Sequence, residues 1–167
     1  GFDISKNRIN ELKNGLDSSL EISSEEFKLS TNLNFTNSID DIKKCEIFIV
    51  TVPTPVNQNN TPDLSLLTKC CDMIGPLIKK GDLVIFESTV YPGVTEEICA
   101  PIIEKQSGLT FNQDFYCGYS PERINPGDKH HRISTIIKVT SGSTPEISIK
   151  VDKLYKEIVV AGTYKAS

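Results

Sequence analysis

Hydrophobic positions along the chain alternate between short continuous apolar runs and longer segments with helical spacing. The continuous runs predict buried strands of a parallel sheet at residues 46–52, 83–86, 115–119, 136–139 and 158–160. Helical spacing predicts one helix after an N-cap at Ser5, with Ile9, Leu12 and Leu16 on one face, and further helices at 62–80, 95–104 and 145–155. Strands that alternate with helices in this way predict an α/β fold, a doubly wound parallel sheet built from right-handed βαβ units.

Composition limits the classes of protein to which the chain can belong. At 167 residues and 38% hydrophobic content, it is long enough to bury the core of one domain. A net charge of -4 argues against nucleic-acid and anionic-membrane partners, and no apolar run reaches the ~20 residues of a membrane span. The five cysteines fit neither a disulfide framework nor a C-x-x-C metal site, so we expect reduced thiols in a cytoplasmic protein.

Polar residues follow several of the predicted strands, where open α/β sheets bind ligands. Asp3 stands before a predicted helix, where a dinucleotide-binding fold places the acid that accepts hydrogen bonds from a ribose diol, although a helix-capping aspartate is an equal alternative. Arg8, one turn into that helix, is a candidate for contact with the ribose or pyrophosphate or, alternatively, an exposed helix arginine. Thr89 is either a hydroxyl that holds water or a cofactor amide, or a helix cap.

A loop at residues 120–132 is the part of the chain richest in chemically active side chains. Glu122 in this loop is a candidate general base or water-orienting group, and the alternative is a salt bridge to Arg123 or Arg132. Three neighbouring residues are potential metal ligands, but adjacent histidines point apart and no further ligand follows at a suitable spacing, so no metal site is predicted. Those residues are Asp128, His130 and His131.

The glycine-rich turn that accompanies an acid such as Asp3, roughly 20 residues upstream, is not in this sequence. Either the chain is not a dinucleotide-binding fold, or it is a fragment that lacks its first βα unit. The start in the middle of an apparent strand favours the fragment, so we expect residues 1–167 to be a partial N-terminal dinucleotide-binding domain with a Rossmann-like sheet.

Four motifs together resemble the NAD-binding domain of the UDP-glucose/GDP-mannose dehydrogenase family. They are Gly-Phe-Asp at residues 1–3, Thr-Val-Pro-Thr-Pro at 51–55, Glu-Ser-Thr-Val-Tyr-Pro-Gly-Val-Thr-Glu at 87–96, and the loop from Ser120 to His131. The resemblance spans nearly the whole chain in the family's order, and the form of the loop is most similar to the branch that oxidises UDP-N-acetylhexosamines. This family oxidises sugar C6 twice with NAD, from alcohol through aldehyde to carboxylate, by way of a cysteine thiohemiacetal.

The resemblance also implies roles for individual residues. Asp3 would bind the adenosine ribose, Arg8 would lie near the cofactor phosphates, and Thr54 would line the nicotinamide cleft. Thr89 would contact the cofactor and help to hold the hydrolytic water, and Glu122 would act as the acid-base or water-orienting carboxylate. Arg123 and Asn125 would shape the sugar pocket.

The resemblance places the family's catalytic cysteine, lysine and asparagine beyond Ser167, and none of the five cysteines here is nominated as the nucleophile. We expect the chain to be the cofactor-binding part of a UDP-N-acetylhexosamine 6-dehydrogenase. The expected substrate is UDP-GlcNAc, and the expected role is in surface polysaccharide biosynthesis. The alternatives are that the enzyme oxidises UDP-glucose or UDP-N-acetylmannosamine, or that the chain is a non-catalytic nucleotide-binding module. The full-length protein is expected to form a homodimer through its central helix, and this segment alone is expected to be inactive.

Overall fold

The computed structural model of the protein describes residues 1–19, 21–122 and 135–166. They form two units, the N-terminal unit (Gly1–Cys45) and the sheet unit (residues 46–122 and 135–166). The helices are α1 (Lys6–Lys13), α2 (Ser24–Leu29), α3 (Ser65–Ile74), α4 (Ala100–Ser107) and α5 (Pro145–Lys156). The strands are β1 (Ile47–Val50), β2 (Leu83–Phe86), β3 (Tyr116–Tyr119), β4 (Lys138–Gly142) and β5 (Thr163–Lys165).

The N-terminal unit is built around the predicted helix α1. Ser5 is its N-cap, because the Ser5 hydroxyl accepts a hydrogen bond from the backbone N–H of Arg8 at 3.3 Å. Ile9 is buried on its apolar face, and the helix ends before Gly15, which has a left-handed φ of 69°. Before α1 the backbone is extended, since Phe2 forms a parallel bridge with Thr36.

The sheet unit contains a five-stranded sheet whose strands lie in chain order. β1, β2 and β3 are parallel, so their carboxyl ends lie at one edge of the sheet. All four residues of β2 are buried, as expected for a strand covered on both faces. α5 packs on one face, where Ile147, Val151 and Tyr155 join Leu83 and Ile85 in the core.

Three features of this sheet differ from the prediction. β4 pairs with β3 antiparallel, so the sheet is not parallel throughout. The final strand is not at residues 158–160 but at Thr163–Lys165, because Val159 is buried beneath α5 while Val160 is 91% exposed in the turn that follows. The predicted strand at 136–139 likewise begins two residues later, at Lys138.

Four of the five cysteines are buried in the sheet unit, on α3, before α4 and on β3, at Cys70, Cys71, Cys99 and Cys117. Burial raises the pKa of Cys70 to about 11, so this thiol is protonated at neutral pH and packs as a small apolar group. Within the described ranges, no helix combines the length and the apolar character needed to cross a membrane.

Candidate active site

A cleft of about 230 Å³ opens at the carboxyl ends of β1, β2 and β3. Its lining comes from the segments that follow these three strands, Thr51, Val52, Pro53, Thr54, Glu87, Ser88, Thr89 and Glu122. Parallel strands bring these segments together although they are far apart in the sequence. The predicted site residues Thr54, Thr89 and Glu122 therefore lie around one cleft.

Two hydroxyl groups connect the segment after β1 to the segment after β2. The Thr54 hydroxyl donates to the backbone carbonyl of Thr89 at 2.6 Å, and the Ser88 hydroxyl donates to the carbonyl of Val52 at 2.6 Å. These bonds hold the first two walls of the cleft together, while Thr89 itself remains exposed.

The third wall is held to the second wall and to β4. The buried Ser120 hydroxyl donates to the carbonyl of Val139 at 2.8 Å, and the Glu122 N–H donates to the carbonyl of Glu87 at 3.2 Å. These bonds fix the backbone at Glu122, whose side chain remains 38% exposed.

A buried lysine pairs with the Glu122 carboxylate. The Lys138 ammonium lies 3.3 Å from Glu122 Oε2 and 3.0 Å from Glu87 Oε2, and its side chain has no exposed surface. The alternative prediction for Glu122 is a salt bridge to Arg123 or Arg132. Both arginines lie outside the described residues, so this alternative stays a prediction. Within the described residues Glu122 is ion-paired with Lys138, and this pair leaves Glu122 at the edge of the cleft.

Tyr155 on α5 completes this group from the side of the core. Its hydroxyl donates to Glu87 Oε1, and its ring centroid lies 5.6 Å from Lys138 Nζ. Burial, together with the hydrogen bond to Glu87, raises the pKa of Tyr155. Tyr155 is therefore a neutral hydrogen-bond donor at physiological pH.

The predicted site residues do not include Lys138, Glu87 or Tyr155. In the sequence, Lys138 is a charged residue within an apolar strand. This pattern indicates a lysine that needs acidic partners, because a buried ammonium is stable only beside carboxylates. The identity of those partners was not available, since Glu87 and Glu122 are 51 and 16 residues away in the chain.

Asp3, in the N-terminal unit, is not the cap of α1, so that alternative is wrong. Its Oδ1 accepts a hydrogen bond from the N–H of Ser5 at 2.7 Å, and Ser5 provides the cap. A carboxylate has about four lone-pair sites, so Asp3 retains acceptor capacity for a ribose diol. Its predicted role in cofactor binding remains a prediction.

Arg8 is half-buried and ion-paired within the N-terminal unit, rather than an exposed helix arginine. Its guanidinium lies 2.6 Å from Asp17 and 3.5 Å from Glu11. Burial acts to raise the pKa of Asp17, but hydrogen bonds from Ser19 and Arg8 outweigh it and hold that pKa well below its usual range. The predicted contact of Arg8 with the cofactor also remains a prediction.

The predicted sugar-pocket residues Arg123 and Asn125 lie outside the described residues, as do Asp128, His130 and His131. In the part of the chain that the structure does describe, no group of three or more His, Cys, Asp or Glu side chains could hold a metal ion.

Residues 1–159 match the profile of the UDP-glucose/GDP-mannose dehydrogenase family, NAD binding domain. The chain belongs to this family.

Relatives within the family agree with this assignment. The chain is 60% identical over 167 residues to a UDP-N-acetyl-D-glucosamine 6-dehydrogenase from Pseudomonas aeruginosa, covering 100% of this chain and 40% of that protein. It is 55% identical over 166 residues to a protein of the same name from Salmonella typhi, covering 99% of this chain and 39% of that protein. The chain thus spans about 40% of the length of these curated relatives.

A solved structure of a UDP-D-ManNAc dehydrogenase from Pyrococcus horikoshii resembles the fold, with a TM-score of 0.85 and 28% identity. It covers 98% of this chain, and this chain covers 40% of it. The predicted Rossmann-like α/β fold is confirmed.

The residues present fit one end of a dinucleotide. Pockets that enclose a whole ligand measure roughly 300–1,000 Å³, so a cleft of about 230 Å³ accommodates only part of NAD. Its rim offers the Thr89 hydroxyl and the backbone groups of the segments after β1 and β2. These are groups that can hydrogen-bond a carboxamide such as that of nicotinamide.

Proposed function

We propose that this chain is the cofactor-binding part of an NAD-dependent nucleotide-sugar 6-dehydrogenase. The enzyme oxidises the C6 alcohol of a UDP-N-acetylhexosamine, UDP-GlcNAc first, to the uronate used in surface polysaccharide synthesis. The observation that carries this proposal is the convergence of Thr54, Thr89 and Glu122 on one strand-end cleft. The names of the two relatives at 60% and 55% identity support UDP-GlcNAc as the substrate.

NAD, when bound, supplies the acceptor for the hydride that leaves C6. In this proposal Thr54 and Thr89 position the nicotinamide end at the cleft, and Asp3 and Arg8 bind the adenosine ribose and the phosphates. Thr54 is suited to this role because its hydroxyl already links the two walls of the cleft at 2.6 Å. The exposed Thr89 side chain is then available to the cofactor or to a water molecule.

Glu122 carries the acid-base role, either by accepting a proton or by orienting the water that hydrolyses the oxidised cysteine adduct to the carboxylate. Its carboxylate is suited to both because it is partly exposed at the cleft while its backbone is fixed to Glu87. Arg123 and Asn125 would contact the sugar, as implied by their positions in the family motif.

The proposal extends to the state and location of the whole protein. We place the enzyme in the cytoplasm, because its cysteines fit no disulfide framework. We expect a homodimer that forms outside this segment, without a nucleic-acid partner given the net charge of -4.

The test is NADH formation by the full-length protein with UDP-GlcNAc, UDP-N-acetylmannosamine and UDP-glucose in parallel. We expect the highest kcat/KM with UDP-GlcNAc and two NADH formed per sugar consumed, because alcohol and aldehyde are each oxidised once. A preference for another sugar would redirect the substrate assignment. The absence of turnover with every sugar would refute the enzyme and favour a non-catalytic nucleotide-binding module.

A further inference from the structure

Lys138 occupies an unusual place for a lysine, because its side chain is fully buried within the sheet unit. It is the first residue of β4, and its backbone N–H donates to the carbonyl of Gly162 at 3.2 Å. A buried ammonium is stable only when carboxylates and hydrogen bonds compensate for the loss of hydration. Two carboxylates do so here, and both line the cleft.

The two carboxylates differ in how firmly they are held. Glu87 is constrained at both oxygens, since Oε2 pairs with Lys138 and Oε1 accepts the hydroxyl of Tyr155. Tyr155 is itself packed in the core on α5, 1% exposed. Glu87 and Tyr155 therefore form a rigid base for the ammonium.

Glu122 is the more exposed member, with 38% of its side chain accessible against 10% for Glu87. A partly exposed glutamate has several rotamers, and holding it in one of them requires a fixed partner. The Lys138 ammonium is such a partner, at 3.3 Å from Glu122 Oε2.

We propose that Lys138, anchored by Glu87 and Tyr155, is the positioning residue that holds the Glu122 carboxylate in its reactive orientation at the cleft. This inference rests on the proposed function, because it assumes that Glu122 acts on the substrate or on the water. Lys138 does not touch the substrate in this account and acts only through Glu122.

A purely structural ion pair and a positioning residue have different consequences. A structural pair stabilises the fold, and its removal lowers the amount of folded enzyme without changing the turnover of the molecules that remain. A positioning residue changes kcat in folded enzyme and leaves the KM values for NAD and sugar unchanged, because a shift of about 1 Å can cost about 10²-fold in rate.

The experiment uses the full-length protein and four variants, Lys138→Met, Lys138→Arg, Glu122→Gln and the double variant K138M/E122Q. Each is assayed for NADH formation with UDP-GlcNAc and for thermal unfolding. We expect K138M to lower kcat about 10- to 100-fold, with both KM values within about twofold of wild type. K138R retains the positive charge and should recover at least about fivefold of that loss.

The double variant provides the decisive comparison. If Lys138 acts through Glu122, K138M has no further effect on kcat once Glu122 is already glutamine. Independent, multiplicative losses in the double variant would overturn the positioning role while leaving the proposed function intact. Wild-type kcat in K138M would overturn it as well.

Two further arms keep the test interpretable. If K138M does not fold, Glu87→Gln/Lys138→Met removes one buried carboxylate together with the ammonium, and the same loss of kcat is expected relative to E87Q alone. If E87Q/K138M has the same kcat as E87Q, the positioning role is refuted. Wild-type kcat in E122Q would refute the role of Glu122 itself and the inference with it, whereas the absence of NADH formation by wild type would refute the proposed enzyme.

Discussion

Glu122 is the residue on which the proposed chemistry depends. Its surroundings allow its proposed catalytic role to be tested without disrupting the buried ion pair of Lys138 and Glu87. Its carboxylate is partly exposed at the cleft, while the nearby Lys138 ammonium has a second partner in Glu87. Neutralising Glu122 therefore leaves Lys138 with one carboxylate in place and does not leave an unpaired buried charge.

We expect Glu122→Gln to lower kcat by about 10²–10⁴-fold, because an amide can neither accept the proton nor polarise the water as a carboxylate does. NADH formation by the full-length protein checks this. The exposed Glu157→Gln on the C-terminal end of α5 is the matched control and should retain wild-type activity. An E122Q enzyme with kcat within about twofold of wild type contradicts the assigned role.

At this scale the sequence predicted residue types better than it predicted partners. Thr54, Thr89 and Glu122 were found because each follows a predicted strand or belongs to a family motif, and the structure brings them to one cleft. Lys138 was not predicted as a partner of Glu122, because the cations suggested by the sequence, Arg123 and Arg132, are its neighbours in the loop and lie outside the described residues. The observed cation comes from β4, and only the pairing of strands brings it close.

Among the elements, α5 is linked to the last two strands by hydrogen bonds to the carboxylate of Asp152, in addition to its apolar packing on the sheet. Asp152 lies 2.7 Å from the ammonium of Lys156 and accepts hydrogen bonds from the hydroxyls of Thr163 at 2.5 Å and Thr140 at 3.3 Å. The hydrogen bond from Lys156, followed by that from Thr163, lowers the pKa of Asp152. Asp152 thus links α5 to β4 and β5.

We expect Asp152→Asn to lower the free energy of unfolding at pH 7 by about 1–3 kcal/mol, because the ion pair is lost and the hydroxyl bonds weaken. The lowered pKa means that Asp152 contributes stability above its unfolded pKa of about 4 and loses it as the pH falls through the folded value. Urea unfolding at several pH values should therefore show the difference between wild type and D152N shrinking below about pH 4.

Asp40→Asn is the matched control for this prediction. Its ion pair with Lys43 is exposed on both sides, at 70% and 57%, so its removal should change the stability by less than about 1 kcal/mol. If D152N is as stable as D40N at pH 7, the link between α5 and the sheet edge is not stabilising.

Element prediction succeeded where the hydrophobic pattern was unambiguous. β2 was found at its observed bounds, since all four of its residues are buried and Gly81 precedes it with a left-handed φ of 90°. The last strand was misplaced because, of the apolar run 158–160 that follows α5, only Val159 packs into the core, while Ile158 and Val160 are exposed in a turn. The antiparallel entry of β4 was also not predicted, because strand direction depends on the route of the connecting segment and not on local periodicity.

For the whole molecule, we propose that this chain forms part of a larger active site. The chain spans about 40% of the length of its curated relatives, so we propose that the nucleophile and the rest of the sugar pocket come from the remainder of the protein. In this proposal the sheet unit contributes the cleft for the nicotinamide, Glu122 and the lysine that positions it.

A structure of the full-length protein with NADH and UDP-GlcNAc would test whether the cleft holds the nicotinamide and whether Glu122 lies beside the sugar C6. The deciding measurement is the position of the nicotinamide and of the sugar C6 relative to the cleft. We expect the nicotinamide beside Thr54 and Thr89, and the Glu122 carboxylate within about 3.5 Å of the C6 oxygen or of a water bound next to it. A nicotinamide bound away from this cleft, or a C6 atom more than about 6 Å from Glu122 with no bridging water, would contradict it.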